Sequence, residues 1–401
     1  MADPGRTIVR GGDVFDPVTA TIARGDVFID ARTFAEPFED GSADSVVDAT
    51  GLLVTPGWVD LHTHVFAGQD LGVDPNVLGP RTGVTTMVDT GSAGAHLYAA
   101  FVAAVVRDAV PRIRAFLNVS TIGTTSILLA GELRQLAYVD EDACVDAIRR
   151  HPEIIGVKVR ASANVGAENT VEALRRARRV ADAVELPLMV HVGPPPVTYA
   201  DILAVLRRGD IVTHCFSGYP DPPIADPADR DRLWDAALEA RARGVLFDVG
   251  HGGGSFDAAR VAAAIRAGFL PDTISSDVHA YADLPGGGDV VDQDPGERAR
   301  RSLAEEGLPL VVDKMIALGL GLEDALLRVT AAPSAAAGLL PSGIGTLRPG
   351  APADLALFRI IVEPSTLADT QGNEFLANLS LRPRMTLQSG AVVSDSRGAD
   401  R

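Results

Sequence analysis

The sequence predicts an α/β protein: a (β/α)8 TIM barrel with a small β-sandwich domain built from both termini. Three observations carry that expectation. Apolar segments of strand length alternate with helical stretches through the middle of the chain. Both ends show instead the alternation of short antiparallel strands. And the apolar segments finish, one after another, on a small set of polar residues. The 401 residues are too many for one small domain and enough for a barrel with a satellite, and 46% hydrophobic residues supply a full core.

At the N-terminal end, Thr7 to about Val54 alternates apolar and polar positions between turns at "RGGD", "DP" and "ARGD". The C-terminal stretches "GIGTLRPGAPADLALF" and "MTLQSGAVV" carry the same strand-turn-strand signal. Residues 1–55 and 339–401 are therefore expected to share one β-domain, with the barrel at 56–338. Inside the barrel, "GWVDLH", "GVTTMVDT", "RIRAFLNVS", "IIGVKVR", "LPLMVHVG", "DIVTHC", "GVLFDVG" and "DTISSD" are the eight strand candidates. Continuous apolar strands alternating with helices mark parallel βα units covered on both faces. The helix expected between Val171 and Glu185 places Val171, Leu174, Ala177, Val180, Ala181 and Val184 on one stripe. One segment breaks the rhythm. Asp283 to Gly307, "DLPGGGDVVDQDPGERARRSLAEEG", is too long for a simple connection and reads as a lid or a flexible excursion.

A net charge of -17, from 36 basic and 53 acidic residues, argues against nucleic acid, whose phosphates demand clustered Lys and Arg. The two cysteines, Cys144 and Cys215, exclude a disulfide scaffold and fit a reducing compartment. The start has no apolar stretch fit for a signal peptide, and the longest apolar run, near "YAAFVAAVV", is far short of a membrane span. The expectation is a cytoplasmic protein that acts on a small molecule, with neither nucleic acid nor membrane as partner; homo-oligomerisation stays open.

Chemistry in such barrels sits at the carboxyl ends of the strands. In "PGWVDLHTHVF" the first strand ends on His62 and His64, and residues two apart in a strand point the same way. Two neutral imidazoles at that spacing can grip one metal ion. Lys158 and Arg160 end the fourth strand candidate, His191 the fifth, His214 the sixth and Asp277 the eighth. Four imidazoles and a carboxylate are N and O donors of the kind Zn²⁺ or Mn²⁺ accepts; they exceed the needs of one open tetrahedral ion and suit two ions about 3.5–4 Å apart. Lys158 is the odd member, because an ammonium is not buried at an apolar strand end unless it is paired or modified. Carboxylated by CO2, it becomes an anion with two oxygens that bridges two metals.

On these residues the chain resembles the amidohydrolase superfamily, whose members carry HxH, a carboxylated Lys, two single histidines and a final Asp on these strands. "GVTTMVDTGSAGA", "GVKVRAS", "LPLMVHVG", "VTHCFSG", "FDVGHGGGSF" and "ISSDVHA" are similar to its dihydroorotase-like, or deacetylase, metallohydrolase branch, and the likeness spans roughly residues 6 to 395. The segment from Asp283 to Gly307 departs from it by its length. The resemblance implies that His62, His64 and Asp277 hold the more buried of two divalent ions, zinc with manganese as the alternative. His191 and His214 then hold the outer one, and carboxylated Lys158 bridges. It also implies a hydroxide bridging the ions as nucleophile and Asp277 as the base that passes a proton to the leaving group. The activity it implies is hydrolysis of an ester or amide (acyl or acetyl) bond in a small molecule with a carboxylate beside the scissile group. A cyclic-amide hydrolase of the dihydroorotase or hydantoinase kind shares every ligand, and a non-catalytic scaffold on the same fold is the third reading.

Arg160, two residues beyond Lys158, suits a substrate carboxylate or a salt bridge at the mouth. His251, in the glycine-rich "GHGGGSF", is a substrate-contact candidate, as are Ser217 and Gly218 after His214. His279 is a candidate partner of the ligands or a structural residue. His96 and His151 flank helices, and Cys144 and Cys215 read as buried apolar residues.

Overall fold

The computed structural model describes residues 5–127, 129, 131–194, 198–219, 224, 233–283 and 302–398. Residues 284–301 of the expected excursion therefore lie outside the described residues.

Strands from both ends of the chain meet in one sheet. Thr7–Asp16 pairs antiparallel with Thr21–Asp30, which continues to Thr33–Phe34. On its other side it pairs in parallel with Ser45–Asp48 and then with Leu53–Pro56. Leu53–Pro56 joins the two ends of the chain by pairing antiparallel with Leu355–Ile361, followed outward by Ser380–Gln388 and Ala391–Asp395. The inward positions of these strands, among them Val9, Ile29, Val54, Leu355 and Leu387, form a core separate from that of the barrel. At the junction Trp58 stacks on Phe358 with ring centroids 4.4 Å apart, and Gly57 N donates to Asp354 O at 2.7 Å.

The middle of the chain is a curled parallel sheet of seven strands in sequence order, Trp58–Thr63, Val84–Gly94, Arg112–Asn118, Ile154–Ala161, Leu188–Val192, Ile211–Thr213 and Leu246–Asp248. The eighth candidate, "DTISSD", is not a strand with a continuous ladder. It makes single parallel bridges, Thr273 to Asp248 and Val278 to Thr63, and so closes the barrel between its last and first strands. Side chains take backbone N–H groups that a ladder would use: Gly250 N donates to Ser275 Oγ at 3.1 Å, Ser276 N to Asp60 Oδ1 at 3.0 Å and Val278 N to Ser276 Oγ at 3.1 Å, and Asp277 leaves the extended region with φ 49°.

The amphipathic helix spans Thr170–Val184 and ends on Glu185 in the left-handed conformation. Leu174, Ala177, Val180 and Ala181 are buried as the period demands, but Val171 is 39% exposed and Ala173 lies inward. Thr170 takes the inward place at the helix start, its hydroxyl bonded to Ala167 O at 2.8 Å, and that rotates Val171 outward. Cys144 and Cys215 are free and buried. Among the described residues no helix is long and apolar enough to cross a membrane.

Candidate metal centre

The first barrel strand delivers His62 and, one step past its end, His64 to the same side, as the two-residue period requires. Both Nε2 atoms converge on Asp277 Oδ1, at 3.1 and 3.4 Å. Each ring is fixed from behind. Thr213 Oγ1 donates its proton to Asp248 Oδ2 at 2.8 Å, so it accepts from His62 Nδ1 at 2.9 Å. That leaves Nε2 of His62 facing Asp277, as a lone pair for a cation when the ring is neutral and as a donor to the carboxylate when it is protonated. His64 Nδ1 pairs with Ser92 Oγ at 2.8 Å. His214 Nδ1 donates to Gly250 O at 2.6 Å, which points its Nε2 into the site, 3.9 Å from Asp277 Oδ2. His191 stands edge-on to His214 with ring centroids 4.3 Å apart. Orientation of a ligating imidazole through its other nitrogen is the usual device for presenting a lone pair to a metal.

Lys158 lies on the floor of this group, 1% exposed, with Nζ 3.2 Å from His62 Nε2 and 3.5 Å from Met189 Sδ. Gly91 makes the space for it: a Cβ there would sit 2.9 Å from Lys158 Cγ, and its φ is +93°. Two of the converging residues have left-handed backbones that no glycine relieves, His214 at φ 68° and Asp277 at φ 49°. Strain of this kind persists where the surroundings over-determine a site.

The electrostatics follow from burial. Burial alone would raise the Asp277 carboxyl, but the charge of His62 and hydrogen bonds from His62 and His64 outweigh it and hold Asp277 well below the usual range. Burial works to lower His62, yet Asp277 beside it leaves it raised. Burial pushes Lys158 down to about 7, against the pull of Asp277 and Asp248. It pushes His214 down to about 3, and it holds His191, beside His214, well below the ordinary histidine value. Neutral imidazoles and an ionised carboxylate are the metal-binding forms.

The donors fit a metal. The ligand atoms of His62, His64 and Asp277 lie within 4.8 Å of one another. His214 Nε2 is buried and has no hydrogen-bond partner among the described residues. Converging lone pairs repel unless a cation or a proton intervenes.

Above the centre opens a pocket whose walls include Thr124, Arg160, Asn164, Tyr219, Gly253–Ser255 and His279. Arg160 is held by Glu132 in a two-pronged pair, Nε to Oε1 at 2.7 Å and Nη2 to Oε2 at 2.8 Å, both residues being buried. His279 accepts from Tyr281 N at Nδ1, so its neutral ring presents Nε2–H as a donor. Three other predicted contacts lie off the pocket wall. His251 is buried, its Nδ1 on Gly252 O at 2.7 Å and its Nε2 2.9 Å from Lys314 Nζ. Ser217 is buried, and Gly218 packs beside Asp257 and Gln371.

Sequence reasoning passed over Asp248, Asp60, Thr213 and Glu132. Asp248 gathers hydroxyl protons from Thr213, Thr273 and Ser275; Asp60 accepts from Ser276 N and Oγ, and burial pushes it up to about 7. The signal for the first pair was present: Asp60 and Asp248 are carboxylates inside apolar strand segments, where a charge needs a purpose. Nothing in the local sequence of Glu132 ties it to Arg160.

No family model matches the chain. It is 32% identical over 359 residues to a deacetylase of Enterococcus faecalis, covering 88% of this chain and 90% of that one. It is 31% identical over 353 residues to a deacetylase of Brucella anthropi, covering 88% and 82%. This chain belongs to the amidohydrolase superfamily. A crystal structure of a dihydroorotase superposes with a TM-score of 0.83 at 28% identity, covering 98% of each chain. As an amidohydrolase the protein is a metal-dependent hydrolase on a TIM-barrel fold, and the converging histidines lie where the barrel's chemistry is built.

Proposed function

We propose that this amidohydrolase cleaves an ester or amide bond, of the acyl or acetyl kind, in a small carboxylate-bearing molecule at a binuclear divalent centre. His62, His64 and Asp277 would hold one ion, His191 and His214 the other, and Lys158 carboxylated by CO2 would bridge them, with zinc the expected metal and manganese the alternative. The observation that carries this reading is the orphaned Nε2 of buried His214, aimed at the carboxylate that His62 and His64 already share. The names of the two deacetylase relatives support the acyl chemistry.

Lys158 is suited to carboxylation because burial lowers it to about 7, so that much of it is a free amine near neutral pH. That amine attacks CO2: the N–C bond forms as one C=O π bond opens, and the nitrogen releases one proton, so a neutral amine becomes an anion. The ions, when bound, supply Lewis acidity toward water and the scissile carbonyl. Asp277, ionised and fixed by two histidines, accepts a proton from the attacking water and returns it to the leaving group. Arg160, locked by Glu132 at the pocket wall, orients the substrate carboxylate, and His279 offers an N–H donor.

A cyclic-amide hydrolase is the second reading, favoured by the close superposition on a dihydroorotase. One experiment separates them: elemental analysis of the purified protein, then turnover of O-acyl hydroxy acids, N-acyl amino acids and cyclic amides. The proposal expects close to two divalent ions per chain and acyl release from the first two classes. A single ion in fully active protein would refute the binuclear centre, and ring opening alone would select the second reading.

A further inference from the structure

The strand pair Ser365–Ala368 and Glu374–Ala377 comes from the C-terminal part of the chain but packs on the barrel, with Leu367 and Ala377 buried in the barrel's core. Its turn reaches the rim beyond the seventh barrel strand and holds one residue there, Phe256, three times over. Phe256 N donates to Thr370 Oγ1 at 3.0 Å, Thr370 Oγ1 donates to Phe256 O at 2.8 Å, and Thr370 N donates to the same carbonyl at 3.1 Å. Beside it Asp369 Oδ2 accepts from Ala258 N at 3.2 Å, and Asp369 is itself fixed by Gln371 N, Asn373 N and Asn373 Nδ2.

Phe256 ends the run Gly252, Gly253, Gly254, Ser255, of which the last three line the pocket. Gly252 backs directly onto the candidate ligand Asp277: a Cβ there would meet Asp277 Oδ2 at 2.5 Å, and its φ is +51°. Three successive glycines have the largest backbone entropy to lose, so a wall made of them closes on a ligand only if its ends are pinned. One end is pinned by the eighth barrel segment, through His251 N to Ser275 O at 3.2 Å and Gly252 N to Ser276 O at 2.9 Å. The other end is pinned by Thr370. The Phe256 ring carries the restraint back to the start of the run by stacking on His251, centroids 4.6 Å apart.

We infer that Thr370 is a positioning residue, through which the C-terminal hairpin holds the glycine wall of the pocket in its binding conformation. The inference rests on the pocket being the substrate site proposed above. Thr370→Val keeps the shape of the side chain and removes the hydroxyl; Thr370→Ser keeps the hydroxyl. Two measurements on the metal-loaded full chain separate this idea from the functional reading. Hydrogen exchange across residues 252–258 needs no substrate: Thr370→Val should speed it about tenfold, the size of one lost hydrogen bond, and Thr370→Ser should restore it. With O-acetyl-lactate, Thr370→Val should raise KM about tenfold and leave kcat within about twofold, because ordering of the wall is then drawn from binding energy; Thr370→Ser should again restore the value. Unchanged exchange in Thr370→Val, a serine variant as impaired as the valine, or a loss confined to kcat would each overturn the inference. If Thr370→Val does not fold, Thr370→Ala against Thr370→Ser makes the same contrast. If the wild type releases no acetate, the functional reading fails, and the exchange experiment decides the inference alone.

Discussion

The floor of the site and its rim are built on different principles. On the floor, His62, His64, Lys158, His214 and Asp277 are all buried, and they lie in the carboxyl-terminal halves of the barrel strands or beyond them. Their directions are fixed by the strand period and by partners such as Thr213, Ser92 and Gly250 O. At the rim, the pocket is walled by residues beyond the barrel strands such as Asn164, in the short helix Ala163–Gly166, Tyr219 and Gly253–Ser255, and their pins, like those of the floor, come from elsewhere in the sequence. Glu132 is 28 positions from Arg160, and Thr370 is 114 from Phe256. On the function proposed above, the floor carries the chemistry and the rim chooses the substrate. Changes on the floor should therefore abolish turnover across substrates, and changes at the rim should discriminate among them.

The largest effect is expected at Asp277. Asp277→Asn keeps an oxygen beside His62 and His64 and removes the base, so kcat should fall by ~10²-fold or more on every substrate. The pH profile should lose its acidic limb. Near-normal kcat with that limb intact would assign the proton transfer to another group and break the comparison on its floor side.

Arg160 tests the rim. A charge-assisted carboxylate contact is worth ~1.5–3 kcal/mol, so Arg160→Met should cost roughly 10- to 150-fold in kcat/KM for an acidic substrate and much less for its methyl ester. Glu132→Gln removes the charge that locks the guanidinium, and its losses should likewise fall on the acid more than on the ester, by about tenfold or less. Equal losses on both substrates would make the Arg160–Glu132 pair a structural element of the wall.

The smallest effect concerns Lys158 in metal-free protein. Its folded value of about 7 lies below the ordinary 10.5, so between those values the unfolded chain binds more protons than the folded one. This group's contribution to stability therefore rises with pH from about 7 toward 10.5, and its full penalty applies below 7. Urea midpoints of the metal-free protein at pH 7 and pH 9 should show that rise, and Lys158→Met should remove it. A flat midpoint in the wild type would mean that the lysine is already paired or modified without metal.

Much of the floor was legible in the sequence because a strand's geometry is local. A two-residue period sends His62 and His64 the same way whatever surrounds them, and the succession of apolar segments orders Lys158, His191, His214 and Asp277 around one barrel. The strand character of both ends was legible for the same reason, but their pairing in one sheet is a contact across about 300 residues. Tertiary structure alone decided the rest. Side chains of Ser275, Asp60 and Ser276 captured the backbone N–H groups of Gly250, Ser276 and Val278 and left the eighth segment with single bridges, and buried Thr170 turned Val171 outward. Lys314 and the carbonyl of Gly252 hold the His251 ring away from the pocket wall, and Glu132 holds Arg160. Each of these outcomes depends on which distant group reaches a polar atom first, and hydrogen-bond partnership across a fold has no period for a sequence to display.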